Sequence, residues 1–375
     1  MTREIPDAAQ YVVIGGGVVG AATAYHLAKS GARDVILIEK DKLTSGSSWH
    51  AAGAVAQYRA NANLMALVAY GVDLYSKLEA ETGQATGWRP LGGCRVTASK
   101  ERRAEFLRAI STARSFGLDM ELISPREAKD KFPLLDITGL DCGLWIPSDG
   151  QVGPSDVTMA LVKGARMHGA RVFEDTSVTG FTIVDGRIAG IETSKGPIRT
   201  ESVAICAGIW SRALGRLAGA NIPILPSHHC YFITDKIAGL GQFSPFMRDP
   251  DLWHYFRAEL GGLMVGQYDA DPVPYPGGFD IAADHAFKLM PENLEHFMPT
   301  FEPLMQRLPV LRTVGVRSWF HGIEAFTEDQ QPVLGETPEV RGLFVGAGFN
   351  AYGISAGGGF GMAASSTMLM LPNGH

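Results

Sequence analysis

The sequence predicts a mixed α/β (α+β) protein: a Rossmann-like nucleotide-binding domain interleaved with a second domain on a mixed or antiparallel β-sheet. Three observations lead there. A strand, glycine turn, helix, strand and acid open the chain within about thirty residues. A second glycine-rich loop, again followed by a helix, stands near its other end, so both ends return to one ligand. Between them lie runs in which aromatic residues alternate with others, as on a sheet covering a pocket.

The opening unit is the most specific. Residues 11–14 (YVVI) form a short apolar run of the kind buried in a parallel sheet. Gly15, Gly17 and Gly20 then follow in G-x-G-x-x-G spacing, with Val18 and Val19 inside the motif. Residues 21–30 read as a helix ended by Gly31, and 35–38 as a second strand ending on Glu39 and Lys40. The glycines allow a tight turn and let backbone N–H groups approach a pyrophosphate, which the helix dipole favours. Glu39 suits a ribose 2′-hydroxyl and repels a 2′-phosphate. A glycine turn in an ordinary α/β sheet is the alternative, but it does not call for the acid.

Composition narrows the class. The 375 residues are 46% hydrophobic and 19% charged, long enough for two domains and a large core. A net charge of −6 argues against non-specific nucleic-acid binding. No apolar stretch reaches the length of a membrane span, and the first ten residues have no signal-peptide core, so a cytoplasmic protein is expected. Cys94, Cys142, Cys206 and Cys230 are far apart and form no C-x-x-C pair, which argues against a disulfide framework or a thiolate metal site. No metal is expected.

The remaining elements follow in order. Residues 64–82 and 101–116 read as helices. Ser124 is an N-cap with Pro125 at the first helical position, and 154–168 is a further helix ended by Gly169. Residues 171–173, 178–184, 187–192 and 197–199 read as a small antiparallel meander, with Asp185-Gly186 as a hairpin turn. An apolar strand at 202–206 leads into the small-residue turn Ala207-Gly208-Ile209-Trp210. Residues 223–234, 253–268 and 314–326 are strand-like and are assigned to the second sheet, with a polar helical region at 291–305. A strand at 342–346, the loop from Gly348 to Ser355 and a small-residue helix at 356–370 complete the chain.

Several motifs together resemble one family: GGGVVG in the opening turn, LTSGSSWHAAG at 43–53, IPSDGQVGP at 146–154, CAGIWS at 206–211, SHHCYFIT at 227–234, EAFTEDQQPVLGE at 324–336 and VGAGFNAYGISAGGG at 345–359. Over nearly its whole length the chain is similar to the FAD-dependent amine oxidoreductases of the D-amino-acid oxidase superfamily, most of all to the flavin domain of dimethylglycine and sarcosine dehydrogenases. The resemblance implies FAD as cofactor. It implies an FAD-binding domain from 1–90, 148–222 and 322–375, and a substrate domain from 91–147 and 223–321.

The family motifs add Gly46, Ser47, Ser48, Trp49, His50, Ala51, Ala52, Gly53 and Ala54 to the cofactor set. They also add Ala207, Gly208, Trp210, Gly348, Phe349, Asn350, Tyr352, Gly353 and Ile354, and Val178 of the meander joins the expected set. In the family the histidine at the position of His50 carries the flavin covalently through its 8α carbon. The chemistry suits a neutral imidazole, which is a nucleophile. A histidine that only hydrogen-bonds its loop, with FAD held non-covalently, is the plainer reading of the spacing alone.

On the substrate side, His229 and Tyr255 align with residues near the flavin in dimethylglycine-oxidising relatives. Either can take the proton of an amine that must lose its charge before it is oxidised. Strand alternation lets only one of His228 and His229 face the pocket, and His229 is the choice. An amino-acid carboxylate calls for an arginine, with Arg59, Arg257 and Arg317 as candidates. No role carries over from the family to Arg59.

Family members continue into a folate-binding domain, for which this chain has no room. The expectation is therefore free formaldehyde as product, a substrate whose N-substituent is not methyl, or a separate partner subunit or electron-acceptor protein. The function implied is oxidation of the C–N bond of an N-methyl or N-alkyl amino acid such as sarcosine or dimethylglycine, giving an imine that hydrolyses. A D-amino-acid or cyclic imino-acid (proline-type) dehydrogenase or oxidase is the alternative. A non-catalytic relative that keeps the fold but lacks the flavin histidine is disfavoured by the intact motif.

Overall fold

The computed structural model describes residues 5–59, 61–268 and 272–370; the outer ends of the expected FAD-binding stretches, 1–4 and 371–375, lie outside them. Its first sheet has the strand order Val333–Glu336, Leu343–Ala347, Val203–Ile205, Tyr11–Ile14, Val35–Ile38, Arg171–Phe173. Neighbours pair in parallel except the antiparallel edge Val333–Glu336. The inner strands are apolar throughout because both faces are covered. Tyr11, Val13, Val35 and Leu37 face one core, made by the helices Val18–Lys29, Ala62–Thr82, Pro154–Met167 and Gly353–Met370. Val12, Ile14, Ile36 and Ile38 face the other, with Ile188, Ile191 and Ile198 from an antiparallel three-stranded layer.

That layer corrects one expectation. The meander consists of Val178–Val184, Arg187–Thr193 and Gly196–Arg199. Arg171–Phe173 belongs instead to the parallel sheet, paired with Val35–Ile38. It follows a helix of fourteen residues, the length of crossover that a parallel partner requires.

The second sheet runs Val316–Phe326, Leu225–Thr234, Gly262–Gln267, His254–Glu259, Phe246–Asp249, Gly93–Thr97, Cys142–Ile146, Glu121–Ile123. It is antiparallel except where Phe246–Asp249 runs parallel to Gly93–Thr97. One face packs Phe232, Met247, Phe256 and Val265 against the helix Leu294–Arg307. The opposite face carries His229, Tyr231, Tyr255 and Arg248. The strand Val316–Phe326 crosses the expected boundary at 321/322, linking the two halves through one continuous element.

Candidate active site

The glycine turn is built as its motif requires. Gly15 has φ +113°, and a side chain there would meet the Cys206 carbonyl oxygen at 2.4 Å. A side chain on Gly20 would lie 1.9 Å from the Gly15 carbonyl oxygen. Gly20 therefore does not face the ligand; it lets the helix start close beneath the turn. Glu39 is buried and accepts hydrogen bonds from the backbone N–H of Gly16 (2.7 Å) and Asp41 (2.9 Å). Burial raises its pKa, against the pull of those two donors.

A cavity of about 400 Å³ starts at this turn. The expected residues Gly15, Gly17, Val18, Val19, Glu39 and Lys40 line its first part. Gly46, Ser47, Ser48 and Ala51 line its flank, with Val178, Ala207, Gly208 and Trp210 opposite. Gly348, Phe349, Asn350, Gly353 and Ile354 line its far end. Lys40 sits over the Trp210 ring at 4.4 Å, while the buried Trp210 Nε1 has no partner among the described residues. Thr176, Ser177, Ile281, Ala283 and Glu324 also line the cavity, and sequence reading missed them. Strand-end and loop positions of this kind carry no local signature.

The other members of the expected set support the wall instead. Gly53 and Ala54 lead into the short pairing of Ala54–Val55 with Gly150–Gln151, and the Ala54 carbonyl accepts from Ser355 Oγ at 2.9 Å. Ala52 offers its carbonyl to Arg257 Nη2 at 3.1 Å. Tyr352 lies beneath the Arg59 guanidinium at 4.7 Å. Trp49 packs edge-on against His50, with ring centroids 5.4 Å apart.

His50 is 6% exposed and is not a cavity-lining residue; its ring lies against the backbone of Gly322. A side chain at 322 would meet the imidazole Cε1 at 2.2 Å. Burial, reinforced by nearby His229, lowers its pKa to about 4, so the ring is neutral at physiological pH.

The second sheet presents one continuous rung to this region: Phe320, Tyr231, Gly266, Tyr255, Arg248, Arg95, each the cross-strand partner of the next. His229, two residues before Tyr231, shares that face, and its Nε2 lies 3.1 Å from the Tyr255 hydroxyl. Its ring stacks at 6° to that of Tyr255. His228 points to the other face, edge-on to His321 at 4.6 Å. Tyr255 is 2% exposed, and burial drives its pKa well up, so it stays a neutral phenol. Glu324 lies within electrostatic reach of His229; burial raises its pKa and His229 draws it back.

The arginines correct the sequence reading. Arg257 is buried and engaged by the Glu259 carboxylate and the carbonyls of Ala52 and Ala258. It ties the loop after His50 to the sheet rather than offering a free guanidinium. Arg317 is exposed, at a bulge near the start of its strand. Arg59 does reach the site, beside Arg95 and Arg248, two residues that sequence reading missed. Their signal is a lone arginine inside an apolar alternation, in GGCRVT at 92–97 and FMRD at 246–249.

The family described as FAD dependent oxidoreductase (DAO) matches residues 10–367. The chain belongs to that family. This FAD-dependent oxidoreductase is 38% identical to human mitochondrial sarcosine dehydrogenase over 96% of its length and 33% identical to rat mitochondrial dimethylglycine dehydrogenase over 98%. It spans only 39% and 43% of those two proteins. Among solved structures it matches L-proline dehydrogenase from P. horikoshii with a TM-score of 0.86 and 28% identity, covering 96% of this chain and 93% of that one.

FAD fits the residues present. The glycine cradle excludes side chains, Glu39 and Lys40 line the first part of the cavity, and the cavity continues to the 348–354 loop. Among the described residues, no helix is long and apolar enough to cross a membrane, and no group of three or more His, Cys, Asp or Glu is placed to hold a metal.

Proposed function

We propose that this oxidoreductase oxidises the carbon–nitrogen bond of an N-methyl or N-alkyl amino acid of the sarcosine or dimethylglycine type. The observation that carries the reading is the His229–Tyr255 pair, hydrogen-bonded at 3.1 Å on the sheet face that also presents arginine. FAD supplies the acceptor for the substrate's hydride. The protein must first deliver an amine with a free lone pair, because an ammonium cannot form the C=N bond as hydride leaves.

Tyr255 and His229 serve that need as a relay. The phenol oxygen takes the amine proton while its own proton passes to His229 Nε2. The imidazolium so formed is compensated by Glu324, the carboxylate within its reach. Hydride loss turns the free-base amine into an iminium ion, which water hydrolyses. An arginine of the sheet face orients the substrate carboxylate by charge-assisted hydrogen bonds.

His50 is the residue that carries the flavin covalently in this reading. Its buried ring is neutral and therefore nucleophilic, and it is held rigidly between Trp49 and Gly322. A flavin that remains with acid-precipitated protein, and is lost from it in His50→Ala, is the expected result.

A cyclic imino-acid substrate is the second reading, favoured by the likeness to L-proline dehydrogenase. Anaerobic bleaching of the flavin separates the two. Sarcosine, dimethylglycine and longer N-alkyl amino acids are expected to reduce it. Bleaching by proline alone, or by D-amino acids alone, refutes the first reading.

A further inference from the structure

The charge on the sheet face exceeds what one carboxylate needs. Arg95 and Arg248 are direct cross-strand partners on adjacent strands. Arg59 Nη1 and Arg95 Nη2 both donate to the same acceptor, the Tyr58 carbonyl, at 2.9 and 3.5 Å. Arg248 Nε donates to the Tyr268 hydroxyl at 2.9 Å, and Tyr268 packs on Tyr255 with ring centroids 5.0 Å apart. Three guanidiniums thus converge beside the His229–Tyr255 pair.

Their compensation is incomplete. Among the described residues, no carboxylate lies within ion-pair distance of any of the three. Asp149 is the nearby acid, buried to 1% exposure, with Oδ1 accepting from the Gln57 backbone N–H at 2.8 Å. Among the described residues, three guanidiniums face one nearby carboxylate. The Nε atoms of Arg59 and Arg95 are buried without a partner among the described residues. Burial, and then mutual repulsion, holds the Arg59 and Arg95 pKa values below the ordinary range, whereas, against burial, Tyr268 and Asp149 hold that of Arg248 above it. Like charges gathered at such cost are stabilised when an anion arrives.

Resting on the amine-oxidation reading above, we infer that the substrate of this chain carries two carboxylates, making it an N-substituted amino-dicarboxylate. The rung sets the spacing. Tyr255, Arg248 and Arg95 occupy successive strands, so Arg95 stands one strand spacing, about 4.8 Å, beyond Arg248. One carboxylate meets Arg248 and Arg59 near the amine, and the second meets Arg95 further along the face. Among the described residues, the two positive charges left over after Asp149 match the two negative charges of such a substrate. A monocarboxylate of the sarcosine type leaves one unmatched.

Calorimetric titration of the holoenzyme with inert analogues tests this directly. Glutarate is expected to bind at least about tenfold more tightly than butyrate, the difference that one further charged hydrogen bond supplies. Arg95→Gln is expected to lower glutarate affinity tenfold or more and butyrate affinity by less. Arg95→Lys, which keeps the charge, should recover part of the preference, an outcome that a purely structural role for Arg95 does not produce. Equal affinities for glutarate and butyrate, or an equal loss of both in Arg95→Gln, overturn the inference.

Anaerobic bleaching by N-methylaspartate, iminodiacetate and sarcosine separates this inference from the reading it rests on. Faster bleaching by the two dicarboxylates supports both. Bleaching by sarcosine alone overturns the dicarboxylate inference and leaves amine oxidation standing. Tight glutarate binding without bleaching by any N-substituted amino acid supports the dianion site and overturns amine oxidation.

Discussion

Gly322→Ala is a small change with a large expected effect on His50. The methyl group would stand 2.2 Å from the imidazole Cε1, and 2.6 Å from both ring nitrogens, where ordinary contact begins at 3.4 Å. The ring must retreat by about 1.2 Å. Trp49 stands against it on one side, and at 6% exposure there is little free space around it. Bond formation demands reacting atoms about 3–3.5 Å apart and aligned, and a misplacement of about 1 Å costs on the order of a hundredfold in rate. Under the proposed attachment through His50, covalent incorporation of FAD into the variant should therefore slow by about two orders of magnitude. The variant should still bind FAD, because the glycine cradle lies elsewhere. The assay adds FAD to apoprotein and follows acid-stable flavin fluorescence on the denatured protein over time. Covalent loading at the parent rate would refute the argument that Gly322 sets the position of the imidazole.

Further outcomes follow from the same geometry. Gly266→Ala places a methyl group 2.0 Å from Tyr255 Cζ, forcing the hydroxyl away from His229; kcat should fall and its acidic pH limb should shift, whereas an unchanged pH profile removes Tyr255 from the relay. Glu39→Ala leaves the Gly16 N–H without its acceptor; in the His50→Ala background, FAD affinity should drop about tenfold or more, from the roughly 1.5–3 kcal/mol of a charged hydrogen bond, by fluorescence titration. Burial, aided by Lys29, lowers the His26 pKa from 6.5 to about 4. The unfolded chain then takes up a proton between those values that the folded chain resists. Stability is full above about pH 6.5 and declines by up to about 3 kcal/mol as pH falls toward 4. Denaturant midpoints should show this decline, and His26→Gln should reduce it; an identical decline in that variant counts against the assignment.

The nucleotide end of the site was legible because its determinants are contiguous. Gly15, Gly17 and Gly20 answer a local steric demand, and Glu39 closes the same unit about twenty residues on. Strand period was enough to put His229 on the face of Tyr255 and His228 on the face of His321. The arginines were not legible in the same way. Arg257 looks as free as Arg248 in the sequence, yet Glu259 and the Ala52 carbonyl occupy it. Arg171–Phe173 reads like a member of the meander because three residues carry no sign of which neighbour they pair with.

By itself the sequence determined the cofactor half of this protein: a turn that only glycine can make, an acid that closes the same unit, and a family motif around His50. Tertiary structure alone decided the substrate half. Strand order made Arg95 and Arg248 neighbours although they lie far apart in the chain, and it set Gly322 beneath the His50 ring. The physical reason is range. Backbone sterics act between adjacent residues and leave a mark on composition, whereas charge convergence depends on pairings between distant strands that no local pattern encodes.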